Sequence, residues 1–164
     1  ESHYLPGSEK GIGAPLSCLS KARLGIAWGA MGAAQACFEN ALQYTQERKQ
    51  FGKPIASYQL IQKDLADMLT EIVKAQFLNL RLSRLAELEK VTPIMISMAK
   101  MNAAREALKS ARQARNLLGG NGISLEYNVI RHLMNLETVF TYEGTDNVHH
   151  LVIGKHLTGI SAFE

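Results

Sequence analysis

Cysteine is scarce in this chain of 164 residues. Only Cys18 and Cys37 occur, and neither sits in a Cys-x-x-Cys pair or at the spacing of a His/Cys ligand set, so no disulfide framework and no zinc site is legible. No apolar run approaches the roughly 20 residues that a bilayer-spanning helix needs, and no signal-peptide pattern is present. Charge of one sign is also missing as a block. The formal net charge is +3, with the basic residues spread over several segments rather than gathered into an arm, which gives no support to nucleic-acid binding. Strand alternation is absent apart from the short apolar run at Val139 and Phe140. The GxGxxG and GxxxxGK[ST] phosphate loops and a serine nucleophile elbow are all lacking. With 46% hydrophobic and 20% charged residues, the composition is that of one globular domain able to bury a sizeable core.

What is present is helical periodicity. From Ser20, apolar residues recur at steps of three and four through Leu24, Trp28, Met31, Ala34, Phe38 and Leu42, which predicts a helix to about Arg48. Its small residues, among them Gly25, Gly29 and Gly32, suggest a face buried tightly against another backbone. FGKP at Phe51 to Pro54 ends that helix. A second begins near Ser57, its stripe of Ile61, Leu65, Met68 and Ile72 continuing to Leu80 and Leu85. Thr92 before Pro93 is a capping residue followed by a tolerated first-turn proline, and predicts a third helix to Leu117 carrying Ile94, Met98, Met101 and Leu108. LGGNGIS breaks it. A short helix over Glu126 to Leu133 and a last one over Asp146 to His156, capped by Thr145, complete the pattern. The expected fold is all-α, an antiparallel four-helix bundle over residues 18–164, with Trp28 and the methionines of the third helix in its core. The turn-rich residues 1–17 open on Glu1 rather than Met and are expected to be a linker from a preceding domain.

Glu143, in TYEGT, is the sharpest candidate for chemistry. Apolar neighbours Phe140, Tyr142 and Val148 suggest partial burial, which raises a carboxyl group toward the range of a general base, and Gly144 leaves room for a ligand. The bland alternative is an ordinary loop glutamate before a helix. RKQFGKP offers a guanidinium at Arg48 for a pyrophosphate and a ring at Phe51 for a flat base, or simply cations at a helix C-terminus. LLGGNG is a helix stop unless a phosphate uses it. Asp146 and His150 are spaced to share a metal, but structural use is the simpler reading, and no metal is expected.

Together these stretches are more specific than any one of them. YTQERKQFGKPIASYQLIQKDLADM, ARQARNLLGGNGIS and TYEGTDNVHHLVIGK, in this order, resemble the C-terminal domain of the acyl-CoA dehydrogenases, FAD enzymes that oxidise acyl-CoA thioesters. The resemblance covers essentially the whole chain. Within the family, ARLGIAWGAMGA, SYQLIQKDLADMLTEI and GGNGISLEYNVIRHLMNLETVFTYEGT follow the branch that acts on glutaryl-CoA. The resemblance implies that Glu143 is the base that removes the thioester α-proton. It implies FAD contacts at Arg48, Phe51, Gln59, Asn116, Leu117, Leu118, Gly119, Gly120, Thr145, Asp146 and Asn147. Substrate contacts are implied at Leu16, Ser20, Arg23 and Gly144.

The same resemblance implies electron-transfer flavoprotein as acceptor and a homo-oligomer, a tetramer for the full protein. It also implies that the N-terminal helical and middle β-domains stand outside this sequence, so that the chain alone is inactive. The compartment would be the cytoplasm of a bacterium or the mitochondrial matrix of a eukaryote. The competing readings are another short-chain acyl-CoA dehydrogenase and a non-catalytic helical interaction bundle in which Glu143 is idle. An intact TYEGT beside the Arg48 and NLLGG elements favours the enzyme, because a scaffold has no physical need of a base next to a glycine.

Overall fold

The computed structural model of the chain describes residue 8 and residues 11–162. Its long helices are α1 (Gly13–Glu47), α2 (Gln59–Glu87) and α3 (Pro93–Leu117), followed by the shorter α4 (Val129–Thr141) and α5 (Asp146–Thr158). Most of the expected linker lies outside the described residues, but residues 13–17 belong to α1. Pro15 falls in the first turn of that helix, where its missing N–H breaks no hydrogen bond, so the helix starts ahead of Ser20.

The core is built from small side chains on two helices. Ala27, Ala30, Ala34 and Ala41 on α1 and Ala99, Ala103, Ala107, Ala111 and Ala114 on α3 are at most 2% exposed, and they belong to one cluster. Alanine against alanine lets the two backbones approach closely without loss of packing density. Met31, Phe38, Leu65, Met68, Ile72, Leu82 and Leu136 fill the space around that seam. Two hydrogen bonds hold α2 in register on α1: buried Asn79 donates through Nδ2 to the Ala27 carbonyl at 3.0 Å, and Trp28 Nε1 donates to Ser83 Oγ at 2.9 Å.

This arrangement corrects several expectations. Trp28 is 39% exposed and lies at the edge of the α1–α2 contact. Met98 on α3 is exposed, Ile94 and Met101 are half-buried, and of that stripe only Leu108 is core. The buried face of α3 is mainly its alanine row, joined by Ile96, Lys100, Leu108 and Leu117, while Met98 turns outward. Leu82, rather than Leu80, carries the α2 stripe inward. Gly25, Gly29 and Gly32 are exposed, with open space where a side chain would be, so the glycine face of α1 is uncovered within the described chain.

Two connections matter for the site. Arg48 is extended, and Lys49–Gln50 pairs antiparallel with Lys53–Pro54 as a two-stranded ribbon. Phe51 and Gly52 form its tip, with φ of 49° and 81°, the left-handed pair that a two-residue hairpin turn demands. Strands this short carry no alternation to read. After α3 the chain makes a 3₁₀ turn, Gly119–Ile123, and folds back so closely that a Cβ on Gly122 would lie 2.2 Å from the Arg115 carbonyl oxygen. Helix α4 then begins and ends later than Glu126 to Leu133. Tyr127 is used instead to pack edge-on against Tyr44, with ring centroids 5.7 Å apart, and Val139 and Phe140 extend the helix rather than forming a strand.

Gly122→Ala is therefore expected to force the turn away from α3 and to destabilise the protein by about 1–3 kcal/mol, the usual cost of overpacking. A urea denaturation midpoint unchanged by the substitution would contradict this packing.

Candidate active site

The loop between α4 and α5 carries two successive residues in the left-handed region. Glu143 has φ of 58° and Gly144 of 95°. For glutamate this conformation costs on the order of 1 kcal/mol, and it persists only where the surroundings impose it. They do so here through the backbone carbonyls. Arg23 on α1 donates through Nε to the Glu143 carbonyl at 2.7 Å, and Lys100 on α3 donates through Nζ to the Gly144 carbonyl at 2.8 Å. The loop is thus bonded to both helices of the alanine seam. The Glu143 side chain is half-buried, and its Oε2 is buried with no hydrogen-bond partner, an acceptor left free beneath the loop.

The floor of the loop is basic. Lys100 and His149 are each 1% exposed. Burial, followed by the Arg23 charge, brings the Lys100 ammonium down to about 8, against the opposing pull of Asp146 and Glu143. His149, on α5, is pushed down to about 4 by burial, then by Lys100 and Arg23, so the ring is neutral at pH 7. Neither of its ring nitrogens makes a hydrogen bond of good geometry. A Cβ on Gly144 would stand 3.1 Å from that ring and 3.3 Å from Arg23 Nη2, so space as well as φ requires glycine there.

The start of α5 is tied down separately. Thr145 caps it, accepting from the Val148 N–H at 3.4 Å. Arg105 grips Asp146 through two hydrogen bonds, at 2.5 and 2.7 Å, and reaches His150 Nε2 at 2.9 Å. The guanidinium holds the Asp146 carboxyl below the usual carboxylate range. It also occupies the position that a metal shared by Asp146 and His150 would need. Asn147 is exposed. Leu16, Ser20 and Arg23 follow one another at helical steps on one face of α1, with Leu16 half-exposed and Ser20 Oγ donating to the Leu16 carbonyl at 3.0 Å.

A second concavity lies elsewhere. An open cavity of about 1050 Å³ is lined by Arg48, Phe51, Gln59, Asn116, Leu117, Leu118, Gly119 and Gly120, with Tyr44, Lys53 and Tyr58 beside them. The structure therefore brings together eight of the candidate cofactor residues, while Thr145, Asp146 and Asn147 stand with the Glu143 loop. Three features suit the cavity to a dinucleotide: the Arg48 and Lys53 cations, the 92% exposed ring of Phe51, and the N-terminus of α2, which has no side-chain cap. Arg23 and Arg48 are 25 residues apart along α1 and its C-terminal cap. At ~1.5 Å per residue that is about 37 Å. The glutamate loop and the cavity of one chain are distinct places.

Sequence reasoning missed Lys100, His149 and Arg105. For Lys100 a signal existed, since it shares a helical face with Ala104, Ala107 and Ala111, a charge in a row of core alanines. Arg105 and His149 carry no comparable mark, because each is explained only by a partner on another helix.

Comparison with known proteins gives the family. A family model described as "Acyl-CoA dehydrogenase, C-terminal domain" matches residues 9–158. Among solved structures, a glutaryl-CoA dehydrogenase from Mycobacterium smegmatis in complex with FADH2 is similar with a TM-score of 0.92 and 51% identity, over 94% of this chain and 40% of that one. The 3-(aryl)acrylate reductase of Clostridium sporogenes is 34% identical over 96% of this chain and 42% of its own length. Cyclohex-1-ene-1-carbonyl-CoA dehydrogenase of Syntrophus aciditrophicus is 37% identical over 93% and 37%. The chain thus spans about two-fifths of the length of the relatives it matches.

The buried imidazole gives a pH signature. His149 is neutral in the folded protein down to about pH 4, whereas in the unfolded chain it takes a proton below its ordinary 6.5. Stability is intact above pH 6.5 and falls as pH drops from 6.5 toward 4, by about 3 kcal/mol for a shift of this size. His149→Gln should flatten that part of the profile. The check is unfolding free energy against pH for both proteins, and parallel curves between pH 6.5 and 4 would refute it.

Proposed function

We propose, for a chain that belongs to the acyl-CoA dehydrogenase family and corresponds to its C-terminal domain, that the complete protein is an FAD-dependent acyl-CoA dehydrogenase. In this reading Glu143 is its catalytic base. The observation that carries the proposal is the Glu143 loop itself. A carboxylate with one buried, unpartnered oxygen stands on a left-handed backbone that two helices hold by its carbonyls. Such a group has a carboxylate with no salt bridge among the described residues and a backbone held in place, which suits the positioning that a general base requires. Glu143 takes the α-proton of the thioester, leaving an electron pair that forms the α,β double bond as a hydride departs from the β-carbon. Bound FAD supplies the oxidant for that hydride. Gly144 lets the thioester approach, and the face of α1 from Leu16 through Ser20 to Arg23 leads toward the base.

Arg48, Phe51, Gln59 and Asn116 to Gly120 would hold the ADP end of FAD in the open cavity. Arg23, which holds the glutamate loop, and Arg48, which lines the cavity, are about 37 Å apart along α1 at ~1.5 Å per helical residue, and Lys100 and Asn116 about 24 Å apart along α3, so the two places are separate. In this reading, as the family resemblance implies, each chain gives its base to one active site and its nucleotide cavity to a neighbour's, in a homo-oligomer that is a tetramer for the complete protein. Glutaryl-CoA is the proposed substrate, oxidised with loss of carbon dioxide to crotonyl-CoA, and electron-transfer flavoprotein the proposed acceptor. Identity of 51% to a glutaryl-CoA dehydrogenase, against 34% and 37% to the two relatives named for other reactions, supports that choice. The chain by itself is proposed to be inactive. The compartment is the cytoplasm in a bacterium or the mitochondrial matrix in a eukaryote.

Replacing Glu143 with Gln in the complete protein should leave thioester binding within a few-fold and slow flavin reduction by about 10⁴-fold or more, since the base contributes up to that factor and hydride transfer depends on it. Stopped-flow reduction of the flavin absorbance by glutaryl-CoA, beside a binding titration, reads both quantities, and normal reduction would remove Glu143 from the role. For Arg48→Ala the expected loss is about 1.5–3 kcal/mol of FAD affinity, the value of one charge-assisted hydrogen bond, with chemistry on the flavin that remains bound nearly unaltered. An unchanged FAD dissociation constant would exclude Arg48 from the nucleotide site.

A further inference from the structure

We propose that Lys100 is a positioning residue for the base: its buried ammonium, paired with the Arg23 guanidinium, holds the carbonyls of Glu143 and Gly144 so that the loop keeps its left-handed course. This rests on the reading of Glu143 as the base.

The Glu143 and Gly144 carbonyls precede the Thr145 cap of α5 and belong to no helix. Two consecutive part-buried acceptors would each cost free energy if left unmade. Each is instead met by a different cation from a different helix, 120 residues earlier for Arg23 and 44 for Lys100. Among the described residues neither cation forms an ion pair, although Arg105, one turn beyond Lys100, is paired with Asp146.

An ammonium that is 1% exposed and bonded to one carbonyl is a poor contributor to stability. Its desolvation outweighs a single hydrogen bond, and a methionine of similar length would suit the alanine seam better. What Lys100 supplies is a buried donor rising from the N-terminal third of α3 to the residue after the base. Without it the Gly144 carbonyl can turn away, and glycine permits the rotation at little cost. Glu143 would then sample positions from which its carboxylate does not meet the α-carbon. His149 closes the floor beneath Gly144, and its ring interacts with that residue's backbone only outside good hydrogen-bond geometry, so it is the weaker holding donor.

The test uses the complete flavoprotein. Lys100→Met removes charge and donor at nearly constant volume, and Lys100→Gln keeps an N–H donor without the charge. For Lys100→Met we expect the limiting rate of flavin reduction by glutaryl-CoA to fall about 10- to 100-fold, as displacement of a reacting group by about 1 Å does, with the thioester dissociation constant and bound FAD within about twofold of wild type. Lys100→Gln should recover a clear part of that rate, and it carries the test alone if the methionine variant does not fold. An unchanged rate in both variants overturns the proposal. So does a loss shared in proportion by rate, thioester affinity and FAD content, which would mark Lys100 as structural only, or a glutamine variant no faster than the methionine one. Failure of the base assignment is separately visible, because Glu143→Gln would then reduce flavin normally whatever the Lys100 variants do.

Discussion

The approach of α1 to α3 governs nearly everything else in the molecule. Alanines at Ala27, Ala30 and Ala34 meet those at Ala99, Ala103 and Ala107, and only side chains this small let two long helices run together at close range. From that seam Arg23 and Lys100 emerge near enough to one another to reach successive carbonyls of a single loop. Larger residues along the seam would part the helices, and the two cations would no longer converge. The packing of the core and the shape of the Glu143 loop are one geometric fact.

Helix starts were legible where a local hydrogen bond decides them. Thr92 accepts from the Met95 N–H and Thr145 from the Val148 N–H, contacts visible from spacing alone. The inward faces were harder to read. Periodicity reports where apolar residues recur, not what covers them, so Met98 and Trp28 looked like core and are exposed, while the alanines that make the core are too small to stand out. The glycines of α1 suggested burial by the same logic and are open. The ribbon tipped by Phe51 was invisible because its strands are too short for any pattern.

The site divided along similar lines. Glu143, Gly144 and the residues of the cavity stand in contiguous stretches, and contiguity is what a sequence displays. Eight candidate cofactor residues from three segments do meet in one cavity. Thr145, Asp146 and Asn147 were grouped with them but lie by the glutamate loop, at the start of α5. Lys100, Arg105 and His149 act across 41 to 44 residues or through the packing of α5, and their partners are knowable only once the helices are assembled.

The balance of charge around the loop shows how such a site is held together. Asp146 is neutralised by Arg105 close at hand, so α5 is anchored without adding a free negative charge near Glu143. Lys100 and Arg23, by contrast, bond to carbonyl dipoles and leave the Glu143 carboxylate without a salt bridge among the described residues. Had either cation paired with that carboxylate, the oxygen would be occupied and its basicity spent on the pair. Gripping the backbone instead fixes the loop and leaves the Glu143 carboxylate without a cation bound to it. The cost is a buried ammonium with one hydrogen bond and a glutamate in a strained conformation, both destabilising taken alone. A fold selected for stability would need neither; a fold that must present a carboxylate at a defined point, free to accept a proton, gains from both.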